Sequence, residues 1–329
     1  MRRAFCLMVL ACTCFVAGSQ PRSRDASAPG SRSVMDAHNC YPYGEWWRDR
    51  IDRALSAGTP LAIEQDLYWY TNPKTGKSWS VVAHGAPVSG DEPTMEHYFF
   101  DRVRPVVERA LREGNHGDWP LITLNLDLKT EEPEHLRAIW GLLSKYQDWI
   151  TTAPKTGDDS MQALTLRPIL VLTGESDAQQ AVFYDDVPVG ERLLVFGAVH
   201  THTEDPMAAP EVLESSRATN YRRWWNNPWA VVEQGGQQRA GDWTPADDQR
   251  LRAMVEHAHQ NGLWIRFYTL DGATEKEESC NGWFSSYNFG SLAAAQERWR
   301  AAQQAGVDYI ASDQYELLGA MLHKTRRAN

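Results

Sequence analysis

Three observations on the 329-residue chain predict an α/β fold, a single-domain (β/α)8 or TIM barrel. Apolar runs of strand length alternate with amphipathic stretches of helix length, which reads as repeated strand-then-helix units. The apolar runs are nearly continuous, as in parallel strands buried on both faces. No glycine fingerprint for a dinucleotide follows the first strand, and this favours a closed barrel over a doubly wound sheet.

Taken in order, GEWWRDRIDRALSAG places Ile51, Ala54 and Leu55 at helical spacing and stops at Gly58. The strand LAIEQDL and the strand-like WSVVAH follow. HYFFDRVRPVVERALREG is an amphipathic helix closed by Gly114, LITLNLDLK is a short apolar strand, and PEHLRAIWGLLSKYQDWI is a helix opened by Pro133. RPILVLTGE and RLLVFGAV are two more strands. DDQRLRAMVEHAHQNG is a helix leading into the strand LWIRFYTLDG, and LAAAQERWRAAQQAG a helix leading into VDYIASDQ. Between these units NYRRWWNNPW, from Asn220 to Trp229, reads as a packed surface loop. Its Arg222, Arg223 and three tryptophans also suit a phosphate headgroup or a sugar ring on an aromatic face.

Residues 1–19, MRRAFCLMVLACTCFVAGS, have the two arginines, short apolar run and small-residue exit of a signal peptide. Within them VLAC, ending at Cys12, has the form of a lipoprotein lipobox, and ordinary cleavage near Ala17 to Ser19 is the alternative. Residues 20–35 are rich in Ser, Pro, Arg and Ala and read as a flexible tether, with the barrel spanning 36–325. An exported protein is expected, periplasmic, extracellular or lipid-anchored. Cys40 and Cys280 lie beyond the leader, and both a disulfide and two free thiols are compatible with their spacing. A net charge of −10 argues against nucleic acid and anionic lipid as electrostatic partners. With fourteen tryptophans, some are expected on exposed binding loops.

The chemistry concentrates at the expected strand ends. Glu64 and Asp66 are two apart on one strand and so face the same way. Paired hard oxygen ligands suit a divalent cation, Mg²⁺ or Ca²⁺. His38, His84, Asp127 and Lys129 also fall at strand ends, where the catalytic groups of a parallel barrel collect. Asn39 beside His38, and Glu175, Arg266 and Tyr268 at or near strand ends, are candidate substrate-binding residues. His200 and His202 in HTHTED have the H-x-H form of a zinc site.

The order His38, Glu64-Gln65-Asp66, His84 in AHGAP, then Asp127-Leu128-Lys129 resembles the phospholipase C-like phosphodiesterases. These include glycerophosphodiester phosphodiesterases, phosphatidylinositol phospholipases C and sphingomyelinase D. YTLDG and AGVDYIASDQ are similar to the last two barrel strands of the first group, so the resemblance spans roughly residues 36–318. It implies a phosphoric diester hydrolase with one Mg²⁺ or Ca²⁺ held by Glu64, Asp66 and Asp127. His38 and His84 would be the acid/base pair and Lys129 a phosphate contact. The implied substrate is a phospholipid headgroup or a small phosphodiester, met by a monomer with membrane contact through the substrate or a lipid anchor.

His38-Asn39-Cys40 stands where glycerophosphodiesterases have His-Arg-Gly, and Asp127 where they tend to have glutamate. HGAP and LDLKT look more like sphingomyelinase D, without that enzyme's loop cysteines. Three other readings of the barrel stay open: an amidohydrolase using His200 and His202, a glycosidase using Glu64 and a partner acid, and a non-catalytic barrel binding lipid or glycan.

Overall fold

Eight strands close on one another, every neighbouring pair parallel, in a computed structural model that describes residues 26–43, 47–237 and 240–328. They are β1 (Val34–Ala37), β2 (Leu61–Thr71), β3 (Ile122–Leu128), β4 (Ile169–Thr173), β5 (Phe196–Ala198), β6 (Arg222–Pro228), β7 (Trp264–Tyr268) and β8 (Tyr309–Ser312). β1 pairs with both β2 and β8, which closes the (β/α)8 barrel the alternating pattern predicts. The leader and its Cys12 lie outside the described residues.

The helices that cover the barrel are α1 (Arg50–Ser56), α2 (Asp101–Glu113), α3 (Pro133–Lys145), α4 (Pro245–Gln260), α5 (Leu292–Ala305) and α6 (Tyr315–Ala328), with shorter turns after β4 and β5. Their ends follow local chemistry. Pro133 opens α3 as its first residue, and Thr244 caps α4 in a reciprocal box with Asp247. Gly114 closes α2 at φ +64°, a left-handed conformation that a side chain would resist. WSVVAH forms no barrel strand. Ser78–Val82 turns back antiparallel on β2 as an accessory hairpin, and this carries His84 over the mouth of the barrel.

Two expectations are corrected here. NYRRWWNNPW is not a surface loop, because its residues from Arg222 to Pro228 are β6. Trp224 lies in the interior, its ring centroid 6.5 Å from that of Tyr309 and its Nε1 donating to the Thr173 carbonyl at 2.8 Å. Trp225 packs against His257 of α4, and Trp224, Trp225 and Trp229 are all buried. None of the described tryptophans is exposed, seven being buried and six half-buried. The polar residues of the segment hid the strand because both faces of β6 carry partnered polar groups rather than a continuous apolar run.

The second concerns the tether. Over its described part, residues 26–33 lie against the N-terminal end of the barrel. Arg32 donates to the Asp118 and Pro120 carbonyls at 2.7 and 2.6 Å, Gly30 N to Asp308 Oδ1 at 2.8 Å, and Trp264 Nε1 to the Ser27 carbonyl at 2.8 Å. Few apolar side chains do not prevent ordering when backbone groups find such partners. Cys40 is buried and Cys280 exposed, each as a free thiol.

Placing Trp224 inside the barrel has a measurable consequence. Trp224→Ala should cost about 3–5 kcal/mol in denaturant unfolding, the usual range for emptying a fully buried tryptophan site. A loss below about 0.5 kcal/mol, the value for surface positions, would contradict a strand at this place.

Candidate active site

The register of two strands assembles the acidic centre. Parallel pairing sets Glu64 of β2 opposite Asn125 of β3, and Asp66 opposite Asp127. Side chains two apart share a face, so three carboxylates project together at the C-terminal end of the barrel. Glu64, Asp66 and Asp127 each offer an oxygen within 4.8 Å of the others. The surrounding cleft of about 340 Å³ is lined by His38, His84, Lys129, Asn226, Tyr268 and Tyr287 among others.

Charge decides how each carboxylate is held. Glu64 Oε2 receives Arg266 Nη2 at 2.6 Å and Asn125 Nδ2 at 3.3 Å, and its Oε1 receives the Asn39 amide at 3.2 Å. Burial opposes ionisation, but His38 and Arg266 outweigh it and hold the Glu64 carboxyl below its ordinary range. Lys129 Nζ lies 2.7 Å from Asp127 Oδ2 and 3.3 Å from Asp66 Oδ2. Burial works against the ammonium, yet Asp66 and Asp127 raise its pKa above that of a free lysine. Asp66 differs from the other two acids. It is fully buried, and neither oxygen accepts a hydrogen bond among the described residues. Burial, with Glu64 and Asp127 beside it, lifts its carboxyl well above the usual range.

His38 follows β1 and is positioned from three sides. Its Nδ1 lies 3.2 Å from Asp313 Oδ1, just past β8, and its Nε2 3.7 Å from Glu64 Oε1. Arg50 donates to the His38 and Asn39 carbonyls at 3.1 and 2.8 Å and reaches Asp313 Oδ2 at 3.3 Å, while Tyr315 Oη donates to the His38 carbonyl at 2.5 Å. Burial would depress the imidazolium, but Glu64 and Asp313 push its pKa up to about 9. His84 is half-exposed across the cleft, its Nε2 4.0 Å from Asp66 Oδ2. Burial, and then Lys129, lower its pKa.

The structure thus brings His38, Glu64, His84, Asp127 and Lys129 to one cleft, with Asp66 buried behind its wall in the carboxylate cluster. The expected substrate-binding residues divide. Tyr268 forms a wall, its ring stacked 5.9 Å from His38. Asn39, at φ +52°, is buried and turned to its own neighbours: its Nδ2 lies 2.9 Å from His38 Nδ1 and 3.1 Å from Asp313 Oδ1. Arg266 lies at the floor with its guanidinium committed to Asp36, Glu64 and Asn226. Glu175 is exposed in an adjoining depression, where it accepts from Thr201 N at 3.0 Å.

His200 and His202 do not converge on one ion. His200 Nε2 lies 3.2 Å from Asp177 and His202 Nε2 3.9 Å from Glu214, so each meets a different acid. Sequence reading missed Asn125, Asn226, Tyr287 and Asp313. The first could have been read from its position two before Asp127, and Asp313 from its place after the final strand. Asn226 was hidden with β6, and Tyr287 enters from a loop with no strand signal.

No family model and no curated protein matches the chain. Among solved structures it is similar to a glycerophosphodiester phosphodiesterase from Parabacteroides distasonis ATCC 8503, at 14% identity over 91% of this chain and 99% of that one, TM-score 0.46. It is also similar to a calcium-dependent phosphoinositol-specific phospholipase C from the Gram-negative bacterium Pseudomonas sp., at 12% identity over 88% and 92%, TM-score 0.45. A 7,8-dihydropteroate synthase from Vibrio fischeri ES114 stands at 14% identity over 93% and 96%, TM-score 0.41.

Asp66 yields a prediction with a defined sign. In chelator-treated protein Asp66→Asn should raise the melting temperature at neutral pH, since the fold disfavours the ionised carboxyl. A carboxyl whose folded pKa is raised above 3.8 carries no such cost below that pH and a growing one above it. The advantage of Asn should therefore vanish near pH 3.8 in thermal unfolding scans. Equal melting temperatures at neutral pH would contradict an unsatisfied carboxylate at this position.

Proposed function

We propose that the chain is a divalent-cation-dependent phosphodiesterase acting on a phospholipid headgroup or a related phosphodiester. One observation carries this reading: Asp66, buried with both oxygens unbonded, shares a 4.8 Å cluster with Glu64 and Asp127 between two histidines. Lys129 is its one cationic neighbour, at 3.3 Å, and a buried carboxylate that accepts no hydrogen bond is costly unless an ion or a proton satisfies it. Three hard oxygen donors on rigid strands fit Mg²⁺ or Ca²⁺, and they would hold the cation. Such an ion supplies charge neutralisation at the phosphate oxygens.

The chain's own groups account for the remainder. His38 and His84 flank the cluster from opposite sides, one to take a proton from the attacking hydroxyl and the other to give one to the leaving oxygen. Asp313 accepts from His38 Nδ1 and is itself held by Asn39 Nδ2, which leaves the Nε2 edge of His38 toward Glu64 and the cleft. Lys129 lines the cleft with an ammonium that stays charged, and it is the group suited to a phosphate oxygen. Tyr268 and Tyr287 present rings on either side of His38 and restrict access by water. Export and a lipid anchor at Cys12 belong to the same proposal and would bring the cleft to extracytoplasmic phosphodiesters.

Turnover should be found with a panel of bis-p-nitrophenyl phosphate, glycerophosphodiesters, phosphatidylinositol and sphingomyelin, assayed with Mg²⁺, with Ca²⁺ and with chelator. His38→Ala and His84→Ala should each lower it at least about 100-fold with an unchanged circular dichroism spectrum, the scale of a lost proton-transfer group. Activity retained in chelator, or in either variant, would overturn the assignment. Asp66→Asn should weaken cation binding measured by calorimetry, and an unchanged affinity would remove Asp66 from the ligand set.

A further inference from the structure

Four arginines are buried among the described residues, and three of them meet a carboxylate. Arg50 pairs with Asp313, Arg266 with Asp36 and Glu64, and Arg298 with Glu233. Arg223 is the exception. It projects from the start of β6, at the end of the barrel opposite the cleft, and no carboxylate pairs with it among the described residues. Its Nε donates to the Asn220 carbonyl at 3.1 Å, and its Nη2 to the Gln162 carbonyl and Asn220 Oδ1 at 2.8 and 2.9 Å. The guanidinium carbon stands 4.7 Å from the centroid of the Phe196 ring. All of these partners are neutral, and Nη1 has no hydrogen-bond partner among the described residues.

Arg223 lines a cavity of about 310 Å³ whose other walls include Met161, Leu164, Leu166, Trp264 and Pro29. That volume lies at the lower end of the usual range for ligand pockets, about 300–1,000 Å³. A buried charge with neutral partners keeps most of its desolvation cost, and burial pushes the guanidinium down to about 10. An anion entering the cavity would offset that cost. The single cation matches a single negative charge, and the apolar walls match a hydrocarbon body. The planar N–H pair at Nη1 suits a carboxylate oxygen.

We propose that this cavity binds an organic monocarboxylate, its head on Arg223 Nη1 and its apolar body against Met161, Leu164, Leu166 and Trp264. The site is separate from the catalytic cleft and shares no lining residue with it.

The test uses octanoate as probe on the full chain, followed by calorimetry. Saturable binding with one site per chain is expected. Octanol, which lacks the charge, and acetate, which lacks the body, should each bind at least about tenfold more weakly, the worth of one charged hydrogen bond or of a few buried methylenes. Arg223→Met should weaken octanoate by the same factor. Met161 is exposed at the rim, so Met161→Trp would narrow the entrance without touching the core and should also weaken binding. That variant decides the matter if Arg223→Met fails to fold. Lys129→Ala, in the cleft, should leave octanoate affinity unchanged. The proposal is overturned by absence of saturable binding, by equal affinity in Arg223→Met or Met161→Trp, or by loss of binding in Lys129→Ala, which would place octanoate in the cleft.

Discussion

Repulsion among carboxylates at the barrel mouth is the constraint on which the arrangement of this end depends. Two unit charges about 5 Å apart repel by roughly 3–4 kcal/mol at an effective dielectric constant of about 20. The β2–β3 register brings Glu64, Asp66 and Asp127 to that separation, with Asp36 just below on β1. Arg266 answers Asp36 and Glu64 from β7, and Lys129 answers Asp127 and Asp66 from the end of β3. Four acids thus meet two permanent cations. With His38 as a third, titratable cation on Glu64, a net negative charge remains while all four carboxyls are ionised, and a divalent cation or a proton on Asp66 would relieve it.

The same constraint explains why the loops after β1 and β8 are fixed so heavily. His38 gains its positive character from Glu64 and Asp313, so it must be kept between them. Arg50 and Tyr315 supply that restraint through the backbone carbonyls of His38 and Asn39, and Arg50 is itself seated 3.5 Å above the Trp47 ring. Asn39 adopts a left-handed backbone that asparagine tolerates better than most residues, and this turns its amide N–H onto Glu64. Beside the histidine this chain has a short side chain that orients its neighbours, and positive charge reaches Glu64 from Arg266 across the barrel.

How much of this was legible in the sequence depended on whether a residue's meaning lay in its own strand. Glu64 and Asp66 were readable because strand periodicity alone puts them on one face, and Asp127 with Lys129 for the same reason. The barrel was readable because six of its eight strands carry apolar runs, while β1 was marked only by the histidine that follows it. β6 was not, since Arg223, Asn226 and Asn227 interrupt its apolar pattern, and each finds its place only through the strand's neighbours in space. Arg266 looked like a substrate ligand by position at a strand end. Its true partners, Asp36 and Glu64, come from strands 230 and 202 residues away, a separation no local pattern encodes.

The two ends of the barrel can be compared in the same terms. At the C-terminal end every buried arginine among the described residues meets a carboxylate, and the acids are in excess, Asp66 having Lys129 at 3.3 Å and no hydrogen bond. At the N-terminal end the unmatched group is a cation, Arg223, set among carbonyls, an amide oxygen and an aromatic ring. Arg223 keeps three hydrogen bonds to neutral acceptors but no counter-charge, so part of its desolvation cost stands uncompensated within the fold. Its retention beside an open, largely apolar cavity is therefore better explained by a ligand than by stability, as the unbonded carboxylate of Asp66 is better explained by a cation than by the architecture of the barrel.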